Sequence, residues 1–153
     1  MGEKRSAKAT ATRVRRARRE DIPTLIQHAG GPAAGRVRAL RRLLKTLTAD
    51  VYVVDREGAL CGVVAVHYRR SLAHGGLLAT IDAMVALRPG DEASREDLGL
   101  LVDCAVTRAK RRGCVGIDSG IAAEEVRSAL REHGFEAGPE QLGRPLRLEE
   151  DEG

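Results

Sequence analysis

The segment from Leu77 to Leu87, LLATIDAMVAL, constrains this chain more than any other. Its apolar residues fall on both parities of an extended strand, and only Thr80 and Asp82 are polar. A strand with one wet face alternates, whereas a strand apolar on both faces is covered on both. The segment therefore predicts a central strand with helices on either side of its sheet. Pro89-Gly90-Asp91 closes it. A helix is expected next, from Arg95 to Arg112, because Leu98, Leu101, Val102, Ala105, Val106 and Ala109 form one stripe. Arg108, Lys110, Arg111 and Arg112 suit the negative end of its dipole, and Gly113 stops it. Cys114 to Asp118 reads as a short buried strand. Strand, helix and strand in this order make a parallel pair joined by a right-handed crossover.

The rest of the chain arranges itself around that unit. Residues 1–11 are polar, basic and without period, and read as a flexible tail. Thr12 to Arg18 alternates as an edge strand does. Asp21-Ile22-Pro23 opens a helix, with Asp21 accepting free backbone N–H groups, and Gly30-Gly31-Pro32 ends it. A second helix is expected from Gly35 to Leu47, with Val37, Leu40, Leu44 and Leu47 on its inner stripe. Val51–Val54 and Leu60–Tyr68 flank the turn Asp55–Gly58 as a hairpin. Ala122 to His133 is a last helix with Val126, Ala129 and Leu130 inward, and Phe135 to Leu148 supplies one or two last strands. Residues 149–153 are an acidic tail. The expectation is one α/β domain over 12–148, in the order β-α-α-β-β-β-α-β-α-β, with a mixed, mostly antiparallel sheet and helices on both faces.

Composition narrows the function classes. Only 2% of residues are aromatic, namely Tyr52, Tyr68 and Phe135, too few for a base-stacking platform. Cys61, Cys104 and Cys114 lack metal-site spacing and read as buried thiols. No metal site is expected. No apolar run is long enough to span a membrane, and a reducing cytoplasm is the expected compartment. The net charge of +4 is concentrated early, in Arg13, Arg15, Arg16, Arg18 and Arg19 and then Arg36, Arg38, Arg41 and Arg42. Such a run is either a solvated surface or an attraction for a polyanion.

Several stretches resemble motifs of the GCN5-related N-acetyltransferase (GNAT) family. Val14-Arg-Arg-Ala-Arg-Arg-Glu-Asp-Ile-Pro23 is similar to the family's opening strand and helix start. Asp55-Arg-Glu-Gly58 with Leu60–Val66 is similar to its second hairpin, and Asp103–Cys114 to its main helix and the following turn. Arg131-Glu-His-Gly-Phe135 is similar to the end of its last helix. The resemblance runs from Thr12 to Leu148. It implies an acyl-CoA-dependent N-acyltransferase, with acetyl-CoA as co-substrate and an unidentified amine as acceptor. It further implies a slot where the central strand parts from its parallel neighbour. Backbone around Val85 and Leu87 would line the pantetheine arm there. A glycine-rich loop opening the main helix would hold the pyrophosphate on its N–H groups.

In this chain that loop is Asp91–Gly99, and the usual glycine positions hold Ser94, Glu96 and Leu98. Ser94-Arg-Glu-Asp97 reads instead as a capping box. Two readings follow. One is a variant cofactor site in which Arg88 and Arg95 supply the charge, with Ser94, Glu96, Asp97, Leu98 and Gly99 facing the pyrophosphate. The other is a helix start with no ligand. The residue matching the family's leaving-group Tyr is Leu130, and no Tyr lies on that helix. Asp82, a charge in an apolar strand, is the first candidate base, or else a carboxylate held by Arg69 or Arg70. His67 is the second candidate, or a structural histidine. A catalytically inactive GNAT-like domain, serving as a ligand- or partner-binding module or half of a homodimer, is the alternative function. Nucleic-acid binding by the basic N-terminal third ranks below both, because it lacks a motif and aromatic residues.

Overall fold

The computed structural model describes residues 11–28 and 34–138. The chain order is strand β1 (Thr12–Arg16), a single 3-10 turn (Arg19–Asp21), helix α1 (Ile22–His28), helix α2 (Ala34–Lys45), and strands β2 (Ala49–Arg56), β3 (Ala59–Ser71) and β4 (Gly76–Ala86). Helix α3 (Asp91–Arg111), strand β5 (Gly116–Ser119) and helix α4 (Glu124–Glu132) follow. The five strands lie side by side in chain order, antiparallel except for the parallel β4–β5 pair. The expected last strands fall on residues 135–148, which lie mostly outside the described residues. Within Phe135–Gly138 there is no regular structure. Among the described residues no helix is long and apolar enough to cross a membrane.

The apolar periodicity decides which helix covers which face. Leu98, Leu101, Val102, Ala105 and Ala109 of α3, with Val126, Ala129 and Leu130 of α4, pack on Val54, Val64, Val66, Ala79, Ile81 and Met84 of the sheet. Val51 and Val53, on the other parity of β2, are buried toward the side where α2 packs on β2. Ile22, Leu25 and Ile26 bury the inner side of α1. Where β3 runs beneath α3, a Cβ on Gly62 would stand 3.0 Å from the Leu101 side chain, so glycine lets the two elements close.

Four local expectations are corrected. Helix α3 begins at Asp91, not Arg95, because Gly90 caps it at φ 97°, a conformation open to glycine. Helix α2 ends at Lys45, so Leu47 lies beyond it and is 86% exposed. Asp21 does not cap α1 from in front. It accepts the Arg18 N–H at 2.7 Å and a two-pronged pair from Arg15 at 2.8 and 2.9 Å. Finally, β4 is flanked by two strands over only part of its length, and Val85 on its outer face is 41% exposed.

Three buried carboxylates tie the sheet's β1 side together. Arg15 bridges Asp21 and Asp55, and Asp55 also accepts the Gly58 N–H of the hairpin turn. The Arg15 hydrogen bonds hold both carboxyls below their ordinary value. Burial pushes the Asp50 carboxyl up, but the Tyr68 hydroxyl and the guanidiniums of Arg16, Arg112 and Arg108 outweigh it, and the net direction is down. A lowered folded-state value means stability that is complete above the ordinary carboxyl value of 3.8 and lost as pH falls through the folded one. Acid titration followed by circular dichroism should therefore show a flat signal through neutral pH and loss of structure only below about pH 4. Leu101→Ala, emptying a fully buried site, should cost about 2–5 kcal/mol in denaturant unfolding.

Candidate functional site

The site is built at the point where β4 leaves its parallel neighbour. Leu78, Ala79, Thr80 and Ile81 pair with Gly116, Ile117, Asp118 and Ser119. The Ser119 hydroxyl donates to the Ile81 carbonyl at 3.0 Å as the last rung. Beyond it, among the described residues, no strand pairs with Asp82–Ala86 on that side. On the other side, β3 pairs with β4 to its end, with one register shift: Val66 faces Ile81 and Ala65 faces Ala83. Asp82 is therefore the extra residue of a β-bulge. The bulge changes parity, so that Ile81 and Met84, three apart, both face α3.

That bulge brings the two candidate acid–base residues together. His67 Nε2 lies 3.5 Å from Asp82 Oδ2, with the side chains 43% and 65% exposed. Neither Arg69 nor Arg70 holds Asp82 among the described contacts; its partner is His67. The cross-strand row continues through Thr80, opposite His67, to Asp118, whose carboxylate accepts the Thr80 hydroxyl at 2.6 Å. The result is a polar strip, His67–Thr80–Asp118, with Asp82 at its open end. Ser71 accepts the His74 N–H and meets His74 Nδ1 at 2.8 Å, but both contacts belong to the turn between β3 and β4.

The start of α3 is fixed by charge pairs. Asp97 is fully buried. Arg88 grips both of its oxygens, Nε to Oδ2 at 2.7 Å and Nη2 to Oδ1 at 3.0 Å. Arg56 adds Nη2 to Oδ1 at 2.6 Å and reaches Glu96 at 3.0 Å. A buried carboxylate needs such partners, and the flat guanidinium fork supplies them in pairs. The Asp97 hydrogen bonds push Arg56 and Arg88 further up, so both remain cationic. The cluster ties the ends of β2 and β4 to the second turn of the helix. It also commits Arg88 to Asp97, while Arg95 pairs with Glu132 of α4 at 2.8 Å. Ser94 is not a cap; its hydroxyl donates to the Arg88 carbonyl at 3.3 Å and its N–H to Gly90. Leu98 is core, and Gly99 faces His133, leaving 3.4 Å between a would-be Cβ and the ring.

The open donors stand earlier than the sequence suggests. No side chain caps α3. The first-turn N–H groups of Asp91, Glu92 and Ala93 precede the first helical bond, from Ser94 N to Gly90 O, and have no partner among the described residues. Gly90 and the acidic pair after it are the signal that could have found this start. The carboxylates nearby count against an anion. A groove of about 530 Å³ between α3 and α4 is lined by Glu92, Glu96, Asp103 and Glu132, with Arg95 and His133. At the matching position on α4, Leu130 is buried rather than presented to the opening. Burial pushes the Cys104 thiol up to about 11, which disfavours its thiolate. Among the described residues no group of three or more His, Cys, Asp and Glu side chains is set to hold a metal ion.

No family model matches the chain, and no curated protein matches it in sequence. Solved structures do match in shape. An aminoglycoside antibiotic 6'-N-acetyltransferase from Acinetobacter baumannii superposes with a TM-score of 0.73 at 11% identity, over 90% of this chain and 99% of that one. A transcriptional regulator from Bacillus halodurans superposes at 0.70 with 24% identity, over 89% and 100%. A predicted acetyltransferase from Clostridium acetobutylicum, solved with acetyl-CoA, superposes at 0.64 with 18% identity, over 88% and 96%. Together with the bulged β4, its parting from β5 and the long helix that follows β4, these likenesses give the chain the fold of the GCN5-related N-acetyltransferases.

Proposed function

We propose that this domain is an acyl-CoA-dependent N-acyltransferase with low affinity for its acyl donor. The observation that carries the reading is the parting of β4 from β5 at Ile81 and Ser119, with a 21-residue helix that lacks a side-chain cap beginning just beyond the end of β4. Two features of the backbone support acetyl-CoA as the donor. Asp82–Ala86 offers an unpaired strand edge for an amide-bearing arm. The N–H groups of Asp91, Glu92 and Ala93 would hold the pyrophosphate at a dipole worth about half a positive charge. Gly90 keeps a Cβ out of that approach. When bound, acetyl-CoA would supply an activated acyl group to a neutral amine. Asp82, held by His67 and open to water, would take the proton that the amine must lose.

Side-chain charge sets the affinity. Asp91, Glu92 and Glu96 lie on the first turns of α3, near the N–H groups that would hold the phosphates, and Arg88 and Arg95 are already paired. An exposed carboxylate about 4 Å from a phosphate charge costs about 1 kcal/mol in water, or about fivefold in binding. A second reading, a GNAT-like domain that binds a ligand or partner without catalysis, is favoured by Leu130, which leaves no tyrosine on α4 to protonate a departing thiolate.

Titration calorimetry with acetyl-CoA should show binding only at high micromolar to millimolar ligand; no heat and no thermal shift at millimolar ligand would remove both the donor site and the transferase. Glu92→Gln should tighten binding by about fivefold, provided the carboxylate lies near a phosphate. Asp82→Asn should leave binding unchanged and lower amine-dependent thiol release by about 100-fold or more, as loss of a general base does. Equal turnover in the two proteins would exclude Asp82, and binding without turnover in the unsubstituted protein would favour the second reading.

A further inference from the structure

The opposite end of α3 presents the reverse electrostatic problem. Asp50 of β2 is fully buried and accepts the Tyr68 hydroxyl at 2.7 Å. Three guanidiniums converge on the same carboxylate: Arg16 of β1 at 2.9 Å, Arg112 after α3 at 3.2 Å and Arg108 of α3 at 3.5 Å. Among the described residues one carboxylate balances one of them, which leaves a local excess of two positive charges. The like charges repel, and the arrangement gains by acquiring an anion. Arg112 Nε is buried and has no hydrogen-bond partner among the described residues.

The guanidiniums are held in place by rings. Arg16 and Arg108 lie over Tyr52, 5.5 and 5.8 Å from its centre, and Arg112 lies over Tyr68 at 4.0 Å. Such contacts fix the planes of the forks while leaving N–H groups outward. The Arg16 side chain is 56% exposed, and the other two reach water at their edges. Arg112 also donates to the Leu47 carbonyl at 2.9 Å, which sets the last turn of α2, with Arg42 and Lys45, next to the last turn of α3, with Lys110 and Arg111. The cations thus come from β1 and from the C-terminal ends of α2 and α3.

We infer that this group of cations is a docking surface for the phosphate backbone of a nucleic acid. Charges spread over three elements suit an extended polyanion better than one small anion. A duplex presents its phosphates already ordered and closely spaced, whereas an acidic peptide must first pay the entropy of aligning its carboxylates. Two guanidiniums already lie over the Tyr52 ring, so the contact is expected to read backbone and not sequence. The surface is separate from the acyl-donor opening, since β1 and β5 are the two edges of the sheet and the cluster sits at the far end of α3. The N-terminal arginine run gives only part of it; Arg108 and Arg112 arrive from the other end of the sequence.

A fluorescein-labelled 20-base-pair DNA duplex, titrated with the full chain by fluorescence anisotropy, tests this. The logarithm of the affinity should fall against the logarithm of salt concentration with a slope of about −1.8 or steeper, about 0.9 for each of the two uncompensated charges. Arg16→Gln should flatten the slope by about 0.9 and weaken binding roughly five- to tenfold at low salt. Arg127→Gln on α4, with the same change in net charge, should leave both within about twofold. Melting curves of each variant establish that the fold is kept. Equal losses in the two variants, or a slope near zero, would overturn the proposal. Tighter binding of poly-glutamate than of the duplex would overturn it in favour of an acidic protein partner.

Discussion

One extra residue in one strand organises this molecule. Without the bulge at Asp82, β4 would keep one parity from Gly76 to Ala86, and Met84 would point away from α3. The insertion turns the strand's second half so that apolar side chains still meet the helix. It also places a carboxylate beside His67, at the level where β5 departs. Core packing and the candidate chemistry are therefore one constraint, and a change that straightened the strand would disturb both.

The two ends of α3 show contrasting uses of arginine. At the front, Arg56 and Arg88 surround Asp97, and Glu96 brings the cluster to charge balance. At the back, Arg16, Arg108 and Arg112 surround Asp50 with no second carboxylate among the described residues. A balanced buried cluster specifies position and is closed to further charge; removal of one member would strand the others. An unbalanced one retains attraction for something outside. The helix is the same and its dipole favours anions at the front, yet the side chains place the excess positive charge at the back.

Much of this was legible in the sequence, and the reasons for the rest are local. The apolar stripe of α3, the hairpin of β2 with β3 and the parallel pairing of β4 with β5 follow from residue spacing, because burial enforces period. The start of α3 did not follow. Ser94 with Asp97 looks like a capping box, but glycine at a positive φ followed by acidic residues opens a helix equally well, and Gly90 took that role. Asp97 then turned inward, where its distant partners Arg56 and Arg88 could not be paired with it from sequence separation. Asp82 was legible as an anomaly, a charge in an apolar run, though its partner was not. The Asp50 cluster left no single signal, since it joins residues as far apart as Arg16 and Arg112. Long-range ion pairs of this kind depend on register, and one bulge moves them.

The stretch of β4 left unpaired among the described residues has a further consequence for how the protein behaves in a crowded solution. A bare strand border with valine and alanine side chains is the sort of surface on which another chain's backbone can add itself, the first step of ordered clumping. Here that border begins with a kinked residue bearing an exposed negative charge, and the facing strand β5 is only four residues long. An incoming strand would meet a broken hydrogen-bond rhythm and would have to strip water from a carboxylate. The same residue that equips the gap for a small guest makes it inhospitable to a sister molecule.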